Sequence, residues 1–201
     1  MTGRRWLPVA SALIGAVAAA LIAVSTLAPE DSAAPATPAA DSVDVGFARD
    51  MAVHHQQAVE MSFIVRDRTD DEDVRLLAFD IINTQANQRG MMLGWLEVWD
   101  MPKSTSQPMS WMAGHSGGHG WDMPGMATDE ELDELRRAGG RDAEVLYLRL
   151  MTEHHRGGVE MARAAVERAG SEEVTRLAAG MVDAQESEIS LMADMLAERG
   201  A

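Results

Sequence analysis

The chain carries the same segment twice, one hundred residues apart. The motif Phe-x-x-x-Met-x-x-His-His-x-x-x-Val-Glu-Met begins at Phe47, and it returns at Tyr147 with tyrosine in place of phenylalanine. The match continues without insertion or deletion as far as Leu96 and Leu196, so the repeated unit is about fifty residues long. A repeat of this length is one supersecondary unit, and here it predicts a duplicated helical hairpin.

Helical periodicity runs through both copies of the repeat. The motif residues and their apolar neighbours recur at alternating spacings of four and three, which places them on one helix face. A second apolar stripe of the hairpin runs from Val74 to Trp99. The sequence therefore predicts an all-α fold, an antiparallel four-helix bundle over residues 44–199 that consists of hairpins 44–99 and 141–199.

A connector of different composition, residues 100–140, separates the two hairpins. It is rich in Gly, Pro, Ser, Met and His and has no apolar period, except for a short helix that the Thr128-x-x-Glu131 capping box opens. Extended chain covers roughly 3.3 Å per residue, so the connector is long enough to run the length of a helix. Such a crossover brings His54 and His154 to the same level of the bundle.

Polar residues on the apolar stripes indicate a site in the bundle core. His54 and His154 lie on the stripes and are expected to point inward, whereas His55 and His155 are expected nearer the edge. A buried polar group needs a partner. Counting from each turn places a glutamine level with each inward histidine. These glutamines and the motif glutamates are the residues predicted to orient the histidines from behind: Gln85, Gln185, Glu60 and Glu160. Solvent exposure is the alternative for the two glutamates.

Composition narrows the chemistry of this site. The chain has no cysteine, which excludes disulfides, thiolate metal sites and thiol catalysis. It has 15 methionines and six histidines, four of them in the repeated pairs. Methionine fills irregular cores, but its thioether is also a soft ligand for Cu(I). The formal net charge of −15 argues against nucleic acid and favours metal cations as partners.

The candidate ligands fall into two groups. Those on the helices are Met51, His54, His55, Met61, Met151, His154, His155 and Met161. Those in the connector are Met109, Met112, His115, His119, Met123 and Met126. A Met/His site without thiolate favours Cu(I), with Cu(II) bound through the histidines, over Mg²⁺, Ca²⁺ or iron. The alternatives are hydrogen-bonded core histidines on the helices and a simple Gly/Ser linker in the connector.

The N-terminus has the pattern of an export segment. Two arginines precede an uncharged, mostly apolar run within residues 1–28, which predicts a signal peptide or an uncleaved membrane anchor formed by residues 6–28. Residues 29–43 are rich in Ala, Pro, Ser and Asp and predict a disordered linker. In either case the bundle is expected outside the cytoplasmic membrane.

Three features of the sequence resemble the domain of unknown function 305 family. They are the two Met-x-x-His-His-x-x-x-Val-Glu-Met segments, the Met-Pro-Gly-Met sequence from Met123 and the acidic start of the short helix at Thr128. The resemblance covers residues from about 45 to 199. It implies a ferritin-like four-helix bundle, export and, as in some members, copper binding and resistance. The defining family positions correspond to Met51, His54, His55, Met151, His154 and His155.

Two classes of function fit these features. The first is an extracytoplasmic copper-binding protein that buffers, sequesters or delivers the metal. The second is a metal-free helical module that binds another envelope protein, with oligomerisation also open. Catalysis is not expected, because the sequence has no Glu-x-x-His motif of the di-iron bundles and no nucleophile elbow, phosphate loop or dinucleotide fingerprint.

Overall fold

The computed structural model describes residues 37–112 and 123–201. Within those ranges the protein is all-α, as predicted, with five α-helices, one short 3-10 turn and no strand. The helices in chain order are α1 (Val43–Arg66), α2 (Glu72–Val98), α3 (Asp129–Arg137), α4 (Arg141–Arg168) and α5 (Glu172–Glu198), and the 3-10 turn is Ser110–Met112.

The N-terminal segments predicted from the sequence lie largely outside this part of the chain. The signal or anchor, predicted over residues 1–28, lies outside the described residues. So do residues 29–36, which are the first half of the linker predicted over residues 29–43. None of the helices in the described ranges is long and apolar enough to cross a membrane.

The helices begin where side chains can satisfy their free N–H groups. The Ser42 hydroxyl accepts a hydrogen bond from the Val45 N–H at the start of α1, and Asp71 caps α2 in the same way. The predicted capping box of Thr128 and Glu131 is present at the start of α3. Local sequence therefore fixes where these three helices start.

The four long helices form two packed hairpins. α1 lies along α2, α4 lies along α5, and the hairpins meet where α1 packs against α4. α1 and α4 run antiparallel, because the Ser62 and Tyr147 hydroxyl groups hydrogen-bond at 2.9 Å while Asp44 contacts Ser171. Each of these two helices is therefore covered on more than one side.

Two hydrophobic clusters fill the space between the helices, and each contains two methionines of the repeated motif. The first cluster includes Met51 and Met161, and the second includes Met61 and Met151. Burial of a side chain of this size contributes about 1.5–3 kcal/mol of stability. The His-His pairs lie between these methionines on both α1 and α4. We call this polar level the histidine layer, and its members are His54, His55, His154 and His155.

Each hairpin holds the turn of the other through an acidic residue near the start of its first helix. The Asp44 carboxylate accepts hydrogen bonds from the backbone N–H groups of Gly170 and Ser171, at 2.9 and 2.8 Å. Burial favours a higher pKa for Asp44, but the hydrogen bonds from Ser171 and Gly170 outweigh it, and its pKa lies below the ordinary value. At the other end, Glu144 accepts a hydrogen bond from the Thr69 hydroxyl. The duplicated acidic position therefore joins the hairpins at both ends.

The connector is fixed against α1 on both sides of its glycine-rich middle. Before it, the buried Asp50 carboxylate accepts hydrogen bonds from the Met109 N–H at 2.7 Å and from the Trp111 indole N–H at 2.9 Å. After it, the Gln57 side chain exchanges two hydrogen bonds with the backbone of Ala127, at 2.7 and 2.8 Å. The connector thus packs on the same part of α1 that carries the His-His pair.

Two adjacent glycines let other groups approach α4 closely at this level. A Cβ atom at Gly157 would lie 1.9 Å from the carbonyl oxygen of Pro124, so the connector backbone passes directly against the helix there. A Cβ atom at Gly158 would lie 2.3 Å from Oε1 of Gln185. Glycine inside a helix costs about 1 kcal/mol relative to alanine, and these contacts explain why it is present.

We predict that Asp44→Ala lowers the free energy of unfolding by roughly 1–3 kcal/mol, because the N–H groups of Gly170 and Ser171 lose their acceptor. Urea denaturation followed by circular dichroism measures the change. Asp41→Ala is the matched control, since it removes an exposed carboxylate next to the helix start. Equal effects of the two substitutions would contradict the role of Asp44 in joining the hairpins.

Candidate metal centre

All eight helix residues predicted as metal ligands are buried. The four methionines are fully inaccessible, and the four imidazoles expose at most 1% of their surface. His54 and His154 point into the core between the hairpins, where their ring centroids lie 3.8 Å apart. The prediction that His55 and His155 lie nearer the edge is wrong. Each is enclosed within its own hairpin, because α2 covers His55 and α5 covers His155.

The two histidines between the hairpins donate hydrogen bonds to main-chain carbonyl groups. His54 Nε2 lies 3.0 Å from the carbonyl oxygen of Pro124 in the connector. His154 Nε2 lies 3.1 Å from the carbonyl oxygen of His54. A carbonyl oxygen only accepts, so Nε2 of each ring must carry the proton.

The two histidines within the hairpins contact side-chain oxygens at equivalent positions. His55 Nε2 lies 2.8 Å from Oε1 of Gln88, and His155 Nε2 lies 2.6 Å from Oε2 of Glu188. Amide and carboxylate oxygens also act as acceptors here, which again places the ring proton on Nε2. All four imidazoles therefore have the same tautomer.

This tautomer leaves Nδ1 of each neutral ring with a lone pair and no proton. None of the four Nδ1 atoms has a hydrogen-bond partner among the residues that the structure describes. Buried polar atoms are normally paired, and an unpaired one needs an explanation such as a bound ion or water. Four such atoms at one level of a core are the strongest chemical signal in the described part of the protein.

Two buried glutamines add unpaired polar atoms close to the same level. Both amide atoms of Gln85 and Oε1 of Gln185 have no partner within the described ranges. The prediction that these glutamines hydrogen-bond to His54 and His154 is therefore wrong. His54 and His154 contact the carbonyl oxygens of Pro124 and His54 instead. The side chains of α2 and α5 that do contact imidazoles are Gln88 and Glu188, which lie three residues further along and bind the second histidine of each pair.

Burial favours the neutral form of three of the imidazoles. Removal from water, together with a smaller effect of neighbouring imidazoles, lowers the pKa of His54 to about 4 and that of His55 to about 3. The pKa of His154 also lies well below its ordinary value, first because of burial and then because His54 is close. At neutral pH the Nδ1 lone pairs of these rings are therefore available to a cation.

The methionines are core residues and remain candidate ligands. Met51 and Met161 border the histidine layer on one side, and Met61 and Met151 border it on the other. Within residues 37–112 and 123–201, no three His, Asp or Glu side chains lie close enough together to hold a metal ion. A metal in this layer would therefore need thioether sulfur beside imidazole nitrogen. Such a donor set suits copper better than Mg²⁺ or Ca²⁺.

The two motif glutamates lie outside the layer. Glu60 forms a surface ion pair with Arg136 of α3. Glu160 is exposed to solvent. Their positions favour the solvent alternative over a supporting role for these carboxylates.

The candidate ligands of the connector differ in how deeply they are buried. Met109 and Met112 are buried in the first hydrophobic cluster, and Met123 packs partly buried against it. Met126 is half-buried. His115 and His119 lie outside the described residues. The described methionines of this group are thus integrated into the fold.

Sequence reasoning missed the acceptors of all four imidazoles. The Pro124 carbonyl comes from an aperiodic segment, for which the glycine at position 157 was the only hint. Gln88 and Glu188 were detectable, because each follows the second histidine of its pair by 33 residues in both copies of the repeat. Their polar side chains on an otherwise apolar stripe were the signal.

Comparison with known protein families identifies the family of this chain. The family described as "Domain of unknown function (DUF305)" matches residues 44–196, so the protein is a member of that family. This confirms the resemblance in the repeated motif. No curated protein matches the chain.

Solved structures agree with this assignment. A candidate secreted DUF305 protein from Streptomyces coelicolor is 66% identical, with a TM-score of 0.76 over 81% of this chain and 97% of that one. A DUF305 fragment from Deinococcus radiodurans is 33% identical, with a TM-score of 0.67 over 82% and 99% of the two chains. CopM in its Cu(II)-bound form is 28% identical, with a TM-score of 0.57 over 74% and 92%. CopM structures with Cu(I) or silver, at 20–23% identity, share the fold.

We predict that the protein loses stability as the pH falls from about 6.5 to about 4. The folded-state pKa values are depressed, so the unfolded chain binds more protons in that window. Each of His54, His55 and His154 then contributes a slope of roughly 1.4 kcal/mol per pH unit. Urea denaturation at several pH values measures the slope, and His54→Leu with His154→Leu should reduce it. An unchanged slope in that variant would show that these rings are not held neutral.

Proposed function

We propose that the protein binds copper in the histidine layer. The observation that carries this proposal is the set of four buried Nδ1 atoms without a partner. Their lone pairs are fixed by acceptors on Nε2, which is how metal-ligating histidines are usually oriented. Copper would join imidazole nitrogen from this layer with thioether sulfur from the bordering methionines, a donor set that favours Cu(I) and also accommodates Cu(II) through nitrogen.

The comparison with CopM supports copper over other cations. At 28% identity, CopM is known in a Cu(II)-bound form. This chain has no cysteine, so zinc sites of the thiolate type are excluded. The formal net charge of −15 also favours the approach of a cation.

The proposed role is buffering, sequestration or delivery rather than catalysis. The sequence lacks the Glu-x-x-His motif with which ferritin-like bundles hold di-iron centres. We interpret the two packed hairpins as a ferritin-like bundle without the di-iron motif. Export to the outside of the cytoplasmic membrane is part of the proposal, supported by the N-terminal apolar run and by the candidate secreted relative.

A second candidate function is supported by a groove between α2 and α5. Leu76 and Leu191 line it and expose 59% and 47% of their surface. The carboxylates of Asp80 and Asp194 also line this groove. Exposed apolar side chains rimmed by polar groups are typical of protein interaction sites. The metal-free alternative is a helical module that binds another envelope protein through this groove.

We predict that His54→Leu with His154→Leu leaves the helical circular dichroism signal intact and weakens Cu(I) binding by at least about 10–100-fold. Loss of groups that merely orient a ligand already has that effect on metal affinity. Leucine roughly conserves side-chain volume, and the double substitution removes two of the four unpaired Nδ1 atoms. Competition with a Cu(I) chelator, run beside zinc, measures the affinity.

Two control variants make this experiment specific. Gln85→Leu with Gln185→Leu removes the same number of buried polar side chains but no imidazole, and copper binding should persist. His115→Ala with His119→Ala removes the connector imidazoles and tests whether that segment contributes. Undiminished binding in the His54/His154 variant would place the site elsewhere. No tight copper binding in the unmodified protein would favour the interaction module.

A further inference from the structure

The two histidines that are enclosed within the hairpins, His55 and His155, differ in the chemistry of their acceptor. Gln88 on α2 accepts the Nε2–H of His55, whereas the equivalent residue on α5, Glu188, accepts the Nε2–H of His155. The corresponding distances are 2.8 and 2.6 Å. The repeat therefore conserves the geometry of the contact while changing a neutral amide into a carboxylate.

Glu188 is also a point at which the layer meets solvent. Its side chain is 23% exposed, while the imidazole of His155 that it contacts is fully buried. It lines the groove between α2 and α5, together with Asp194 and Glu198. A cation that enters this groove therefore meets a carboxylate that is hydrogen-bonded directly to the buried imidazole of His155.

The change of acceptor alters the donor strength of the ring. A hydrogen bond to a carboxylate is roughly twice as strong as one to a neutral acceptor. A carboxylate behind a ligating histidine fixes the ring and raises the basicity of the opposite nitrogen. Nδ1 of His155 is thus a stronger electron-pair donor than Nδ1 of His55. The negative charge also stabilises a divalent ion more than a monovalent one, because Coulomb energy is proportional to charge.

We propose that Glu188 is a positioning residue that makes His155 the strongest imidazole donor of the layer and gives the α4–α5 half a preference for Cu(II). The α1–α2 half, with Gln88 behind His55, is the weaker half. This inference rests on the proposed copper function. It adds which half of the histidine layer binds copper more tightly, and the physical reason for the difference. Relatively harder, more basic donors favour Cu(II) over Cu(I).

Reciprocal substitutions in the full-length protein test this assignment. Glu188→Gln keeps the acceptor and removes the charge, and it should weaken Cu(II) binding by about 10–100-fold, with a smaller loss for Cu(I). Gln88→Glu should strengthen Cu(II) binding in the first half. Asp194→Asn is the matched control, because it makes the same charge change in the same groove without contacting a histidine. It should leave both copper affinities unchanged.

A measurement without copper separates this inference from the proposed function. In the metal-free protein, the proton on Nε2 of His155 should resonate further downfield than that of His55. Glu188→Gln should move it upfield and Asp194→Asn should not. If Glu188→Gln matches Asp194→Asn in both the proton shift and the Cu(II) affinity, the positioning role is overturned. If the proton shift behaves as stated but the unmodified protein binds no copper, the proposed function fails while the carboxylate effect on the ring stands.

Discussion

The central constraint on the structure is the burial of four imidazoles in the middle of an apolar core. A buried polar atom without a partner costs roughly 1–3 kcal/mol, so four unpaired Nδ1 atoms are a substantial cost to a protein whose net stability is of order 5–15 kcal/mol. Sequences that needed only a stable bundle could place leucine or methionine at these positions. The unpaired nitrogens are therefore best understood as groups kept for a ligand.

The rest of the fold holds this layer in place. The hairpins are joined at one end by Asp44 and at the other by Glu144, which keeps α1 and α4 antiparallel and brings His54 against His154. The connector completes the layer, because its Pro124 carbonyl sets the tautomer of His54. Gly157 gives that carbonyl room against α4. Tertiary contacts far apart in sequence thus determine which nitrogen of each ring carries a proton.

Much of this arrangement was readable from the sequence, for reasons that the structure makes clear. A repeat in constant register fixes two equal hairpins, and the stripe through His54 predicts that this residue points inward. Periodicity assigns one buried face, however, and α1 is covered by both α2 and α4, so the burial of His55 could not be read from it. The partners of His54 and His154 were misassigned because they are carbonyl groups of the connector and of α1, which side-chain patterns do not reveal. The contact from Pro124 came from a segment without any period.

The central claim is that all four histidines carry the proton on Nε2 and offer Nδ1 to copper. Long-range proton–nitrogen NMR of the histidine rings in the metal-free protein at neutral pH tests it most directly, since protonated and unprotonated ring nitrogens have well-separated shifts. We expect the proton on Nε2 and an unprotonated Nδ1 in the rings of the histidine layer, and a shift of Nδ1 rather than Nε2 when Cu(I) is added. Rings protonated on Nδ1, charged imidazolium rings, or ring nitrogens that do not respond to Cu(I) would contradict it.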